Sequence, residues 1–259
     1  MNIGLIGSGA IGRYLLEKIN KEKHQALAIK CVLVRNREKY QHLEAEYGVT
    51  LHTDREAFLA SDIDMVVEAA NVETVRALLP EVIQKKDTML ISVGALVDEA
   101  LLEETGRLAE AHGHKLHLPS GAIGGLDLIQ NAKALGNLEQ VELITRKPAH
   151  SLTEEVLTEE KTVFSGKAYE AIEKFPKNMN VSIILSLAGL GIRDTDVRLI
   201  ADPGIDKNIH QIKLSGGFGE AELTIKNDPL PENPKTSALA ALCIIGTLER
   251  LEENIKYGN

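Results

Sequence analysis

The sequence predicts an α/β chain in two parts: a parallel sheet covered by helices, followed by an α+β portion built on a mainly antiparallel sheet. Three observations carry this expectation. Short apolar runs alternate with helix-like segments through the first 118 residues, and a glycine-rich turn joins the first run to the first helix. After Pro119 the apolar runs take the two-residue alternation of strands that keep one face for helices.

The first run is Asn2 to Ile6, followed by Gly7-Ser8-Gly9-Ala10-Ile11-Gly12 and the helical pattern RYLLEKI. The spacing G-x-G-x-x-G between a strand and a helix permits a tight turn and brings a pyrophosphate close to unpaired helix N–H groups. It makes the first part a Rossmann-type dinucleotide-binding domain, with Gly7, Gly9, Ala10, Ile11 and Gly12 as cofactor-binding residues. The second strand is expected over 26–34 and ends at Arg35-Asn36-Arg37. A site for NAD usually places a carboxylate here, about 20 residues after the glycines, to hold the ribose 2'-hydroxyl. Arg35 and Arg37 suit a 2'-phosphate instead, so NADP stands beside NAD as cofactor; the same arginines also serve as solvated charge at the start of the helix EKYQHLEAEYG.

A third strand is expected over 64–70, then a helix over 72–85 with Pro80 at its middle or at a break, a strand over 89–93, a helix closing at Gly113 and a strand over 115–118. Glu68, with Ala69, Ala70 and Asn71, lies at the carboxyl end of its strand, where ligands collect in open sheets. Ala70 therefore joins the cofactor-binding set, whereas Glu68 fits either the cleft or the turn that follows. His112, His114 and His117 are close in sequence but lack a recognisable ligand spacing, and no metal is expected.

Beyond Pro119, the loop Ser120-Gly121-Ala122-Ile123-Gly124-Gly125 offers small side chains that let backbone approach a planar ligand; it also reads as a hinge. Strands are expected over 139–147, 211–214 and 221–226, the last two joined across Gly216-Gly217-Phe218-Gly219. Helices are expected over 168–175 and 181–188, flanking a polar island at 175–180, and over 236–255 with an apolar face through Leu239, Leu242, Ile245 and Leu248. His210 stands where a polar loop enters a strand. Its type titrates nearest neutrality, which suits a proton-moving step beside a redox step, and Asp202 and Asp206 are candidate orienting partners. A satisfied structural histidine is the other reading.

Composition narrows the class. The 259 residues carry 44% hydrophobic and 26% charged side chains, which excludes global disorder, and a net charge of -9 argues against a nucleic-acid partner. Two distant cysteines, no secretory leader pattern and no bilayer-length apolar run point to a cytoplasmic chain without a membrane partner.

The segments GSGAIG (7–12), SVGAL (92–96), PSGAIGGLD (119–127), TRKP (145–148), FPKNMNV (175–181), ADP (201–203), NIH (208–210) and ENPKTSALAAL (232–242) together resemble the L-aspartate dehydrogenase family. The resemblance implies oxidation of L-aspartate with NAD or NADP to iminosuccinate, then oxaloacetate and ammonia, with iminosuccinate available to nicotinamide-cofactor synthesis. It implies His210 as the catalytic residue, Ala122 and Asn180 at the cofactor, and a homodimer. Arg146, Lys147, Lys177 and Asn178, in islands beside matched segments, are the candidates for the two substrate carboxylates. The residue patterns divide the chain into a dinucleotide-binding domain at 1–118, a substrate and catalytic domain at 119–235, to which the resemblance adds dimerisation, and a helix at 236–259 expected to return to the first domain. Ala149, where a second proline is expected, and Asn71, where a small residue or serine is expected, depart from the pattern. Another two-domain amino-acid or oxoacid dehydrogenase, or a dinucleotide-binding regulator without turnover, are the competing readings.

Overall fold

The computed structural model describes residues 1–176, 179–230 and 233–258. Its chain divides into two compact units, one of Met1–Pro119 with Ile244–Lys256, the other of Ser120–Cys243 with the residues from Tyr257.

The first unit holds six parallel strands: β1 (Asn2–Ile6), β2 (Ala28–Leu33), β3 (Thr50–His52), β4 (Met65–Glu68), β5 (Asp87–Leu90) and β6 (Leu116–His117). They lie in the order β3-β2-β1-β4-β5-β6, so the direction of winding reverses between β1 and β4, and a crevice opens at their carboxyl ends. The connecting helices are α1 (Ala10–Leu15), which continues as a wider turn over Leu16–Lys21, α2 (Arg37–Tyr40), α3 (His42–Tyr47), α4 (Arg55–Leu59), α5 (Val72–Ile83) and α6 (Glu99–His112). Asn36, Asp54, Asn71 and Asp98 cap α2, α4, α5 and α6 through side-chain oxygens that accept from first-turn N–H groups. Asn71, a departure from the family pattern, thus has a local task. Ile6, Cys31, Phe58, Leu59, Ile63, Val66 and Val82 form one buried cluster. A methyl group on Gly4 would stand 2.6 Å from Ile63 and 2.8 Å from Phe58, so the bare backbone there makes room for these side chains.

The second unit contains α7 (Leu126–Lys133), β7 (Leu138–Pro148), β8 (Lys161–Lys167), α8 (Ala168–Lys174), α9 (Asn180–Ala188), β9 (Asp196–Asp202), β10 (Asn208–Gly216) and β11 (Gly219–Asn227). The short pair β12 (Pro229–Leu230) and β13 (Asn233–Ser237) precedes α10 (Ala238–Glu252). The main sheet runs β11-β10-β7-β9-β8; β7 and β9 are parallel and the other neighbours antiparallel. Val141 and Leu143 of β7, Val197 and Leu199 of β9, and Ile212 and Leu214 of β10 are buried.

Several expectations need correction. The strands β3, β8 and β9 and the helix α4 are not among the expected elements, and β9 absorbs Asp202 from what reads in sequence as a loop. His210 is the third residue of β10, inside the strand rather than at its mouth. On α10 the buried residues are Ala241, Ile244 and Leu248, whereas Leu242 is 52% exposed. The expected face advances by three residues at every step, which drifts round a helix of 3.6 residues per turn. Where α10 belongs to the first unit, Glu249 meets His24 at 2.9 Å and Glu252 meets the Met1 ammonium at 3.0 Å.

Candidate functional site

In the first unit the three glycines of the opening motif have separate tasks. Gly7 adopts φ +105°, and a Cβ there would lie 2.7 Å from the Ala69 carbonyl oxygen. Gly12, on α1, brings that helix against the turn, for a Cβ would stand 2.5 Å from the Gly7 carbonyl. At Gly9 nothing lies within 4 Å of the place a Cβ would take, so space remains open over the backbone that precedes the helix. Gly9 is also the N-cap, and no side chain caps the first-turn N–H groups of α1. Uncapped donors beside open space fit a pyrophosphate. Ala10 and Ile11 are the first residues of that helix.

A cavity of about 540 Å³ lies over this turn, and its walls include Gly7, Ser8, Gly9, Arg35 and Ala70. Arg37 is not among them; it extends to Glu44, with a 2.9 Å ion pair. Tyr40, Thr53 and Arg55 also line the cavity, and sequence reasoning misses them. They come from α2, β3's trailing loop and α4, and neither β3 nor α4 is an expected element.

Glu68 is 3% exposed at the end of β4. Its carboxylate accepts from the Ala70 N–H at 2.7 Å, the Ser92 N–H at 3.0 Å and the Ser92 hydroxyl at 2.8 Å. Burial raises its pKa, and these donors oppose the shift. The side chain ties the 69–71 turn to the segment after β5, and through that turn it shapes the cavity wall.

The second unit gathers a different chemistry. In the β7–β10 ladder Thr145 stands opposite His210, and the Thr145 hydroxyl lies 3.0 Å from His210 Nδ1. Both residues are buried, at 2% and 3% exposure. Burial first, and the neighbouring charge of Lys147 second, lower the imidazole to about 4, so His210 is neutral at ordinary pH. Lys147 shares the face of Thr145 by strand alternation, and burial lowers its ammonium to about 8. Ala122 is buried nearby in the chain fold: its carbonyl accepts from Asn227 Nδ2 at 2.9 Å, and Asn227 pairs with Asn208, two residues from His210.

Other candidates are not brought into this group. Arg146 projects from the opposite face of β7 and pairs with Glu160 and, at 3.6 Å, with Asp202. Asp202 is thereby engaged away from His210, and its Oδ1 also accepts from the Gly204 N–H at 2.8 Å. Thr145 takes the orienting place expected of the aspartates. Asn180 opens α9 and is exposed. Lys177 and Asn178 lie outside the described residues. A concavity of about 740 Å³ on the outer face of the second sheet, among Gln140, Glu142, Lys213 and Glu222, holds none of the predicted site residues.

Comparison with known proteins follows the same division. Residues 7–119 match the NAD-binding domain model of homoserine dehydrogenase, and residues 127–251 match the C-terminal domain model of aspartate dehydrogenase. An L-aspartate dehydrogenase of Methanothermobacter thermautotrophicus is 40% identical over 259 residues, covering 100% of this chain and 98% of that one. One from Methanopyrus kandleri is 36% identical over 262 residues, with 100% and 98% covered. The crystal structure of an aspartate dehydrogenase from Thermotoga maritima superposes with a TM-score of 0.82 at 29% identity, covering 99% of each chain.

Proposed function

Because the chain belongs to the L-aspartate dehydrogenase family, we infer that it oxidises L-aspartate with NAD or NADP to iminosuccinate, which water converts to oxaloacetate and ammonia. The observation that carries the reading is the relation to L-aspartate dehydrogenases over 100% of the chain, which includes both the dinucleotide turn and the His210 strand. The bound dinucleotide supplies an acceptor for the hydride that leaves the substrate α-carbon. Its phosphates suit the uncapped start of α1 and the open backbone at Gly9.

The remaining chemistry falls to side chains of the second unit. The amino group must be neutral before hydride departs, and the imine carbon must then take up water. His210 is the proposed acid/base. With Nδ1 engaged by Thr145, Nε2 is the ring nitrogen left for water or substrate. A hydroxyl both donates and accepts, so rotation of the Thr145 O–H suits either tautomer: a lone pair at Nε2 to accept a proton from water, or a proton there for the departing nitrogen. Lys147, half-buried on the same face, is proposed to meet a substrate carboxylate, with Lys177 and Asn178 as further donors. Burial keeps the imidazole neutral, and the charge of Lys147 adds to that effect. Ala122 and Asn180 are proposed at the cofactor on the family resemblance.

The test is absorbance at 340 nm with L-aspartate and either dinucleotide, beside L-glutamate, L-alanine and, in reverse, oxaloacetate with ammonia. Turnover specific to L-aspartate supports the reading. Turnover of another substrate alone, or tight dinucleotide binding without turnover, overturns it. We place the enzyme in the cytoplasm as a two-fold homodimer supplying iminosuccinate to nicotinamide-cofactor synthesis; light scattering on the purified chain tests the dimer. Among the described residues, no helix is long and apolar enough to cross a membrane.

A further inference from the structure

The dinucleotide cavity has a rim of unusual charge for a site that would hold an unmodified adenosine ribose. After β2 ends at Leu33, Val34 and Arg35 continue along the cavity wall, so a guanidinium stands where a ribose-binding carboxylate is usual. A second guanidinium reaches the same cavity from a separate element: Arg55, the first residue of α4. Arg35 Nη2 lies 3.4 Å from the Thr74 hydroxyl, and Arg55 Nη1 lies 3.1 Å from Glu81, so each side chain is tethered at one atom. A guanidinium has five donors in a planar fork, and one tether leaves most of them for an anion. Arg37, which the sequence places equally well, pairs with Glu44 and is not among the residues that line the cavity. Among the described residues lining the cavity, Glu73 is the one carboxylate, on the first turn of α5 beside Thr74.

We propose that Arg35 and Arg55 form a 2'-phosphate subsite that makes this chain select NADP(H) over NAD(H). Two guanidiniums from different elements can grip the phosphate's oxygens from two directions, and both would be poor partners for a bare 2'-hydroxyl. Glu73 would then serve as a local counter-charge to Arg35 rather than as the ribose acceptor. The proposal rests on the dehydrogenase reading only in taking the cavity as the dinucleotide site.

The experiment separates binding from turnover. Adenosine 2',5'-bisphosphate and adenosine 5'-monophosphate are titrated calorimetrically into the full-length protein and into Arg35→Ala, Arg55→Ala and Glu73→Gln, with NADPH and NADH binding followed by fluorescence. The expected result is a preference for the bisphosphate of about tenfold or more in the parent protein, lost by about tenfold in each arginine variant while the monophosphate changes far less. Glu73→Gln is expected to keep the bisphosphate preference. Equal affinity for the two probes in the parent protein, or a preference indifferent to both arginine substitutions, overturns the proposal. So does a Glu73→Gln variant that loses monophosphate binding selectively, since that assigns the ribose to the carboxylate. L-Aspartate turnover with either dinucleotide, measured alongside, sustains the dehydrogenase reading whichever way the binding ratios fall.

Discussion

Replacing His210 with glutamine should flatten part of the acid dependence of stability. In the folded chain the imidazole sits at about 4 against an ordinary 6.5, because it is buried and faces the charge of Lys147. Above pH 6.5 the ring is neutral folded or unfolded and contributes no pH dependence. As pH falls below 6.5, the unfolded chain takes up a proton that the folded chain refuses, so stability drops until about pH 4 and levels off below it. At 1.36 kcal/mol per pH unit, the 1.5 units between 6.5 and 5 correspond to about 2 kcal/mol, and the full window to about 3 kcal/mol. The assay is guanidinium unfolding followed by circular dichroism at pH 7.5 and 5.0, at one fixed concentration, for the parent protein and His210→Gln in parallel. The other titrating groups are common to both, so the difference between the two pH responses isolates the imidazole. A variant that loses as much stability on acidification as the parent would refute the reasoning.

Three more outcomes are expected. Burial holds Lys147 near 8, so it is cationic below that pH and neutral above. Because the substrate amine must also lose its proton, the lysine is read from the parent-to-Lys147→Met ratio of kcat/KM for L-aspartate, which should be well above one below pH 8 and fall toward one as pH rises through it. Thr145→Val removes the partner of a buried ring nitrogen, at a cost of about 1–3 kcal/mol in stability; kcat should fall more than KM rises, and Thr145→Ser should restore it, whereas equal impairment by serine and valine would show a packing role only. Gly12→Ala places a methyl 2.5 Å from the Gly7 carbonyl, so the turn or the helix must shift. A stability loss of about 1–3 kcal/mol with weaker dinucleotide binding is expected, measured by thermal unfolding and calorimetry, and unchanged binding would contradict the packing account.

Local patterns are the legible part of this chain. The spacing of Gly7, Gly9 and Gly12 between an apolar run and a helical one is a short-range signal, and the structure assigns each glycine a distinct steric task. Strand alternation likewise makes β10 and β11 readable around their glycine turn. What stays hidden depends on distance along the sequence. Thr145 and His210 are 65 positions apart and meet only because β7 and β10 pair in one register, so no local feature marks the threonine. Asp202 and Asp206 are nearer in sequence and therefore more tempting, yet β9 turns Asp202 toward Arg146. Arg35 and Arg37 look alike in sequence; the cap at Asn36 starts α2 and sends the second arginine to Glu44. Arg55 has no visible reason to be noted, because the short helix that presents it carries too few residues for a periodic signal.

The side-by-side placement of Thr145, Arg146 and Lys147 on one strand has an evolutionary edge. Neighbouring residues of β7 belong to different compartments: two face the histidine, and the one between them is spent on an outer ion-pair cluster. Substitutions in this strand can therefore retune either compartment independently. A single-residue insertion or deletion upstream in the strand cannot, because it would carry the arginine inward and turn the threonine and lysine out together. Variation in length should consequently be confined to the ends of β7, and a library built to change substrate choice should alternate its mutated positions.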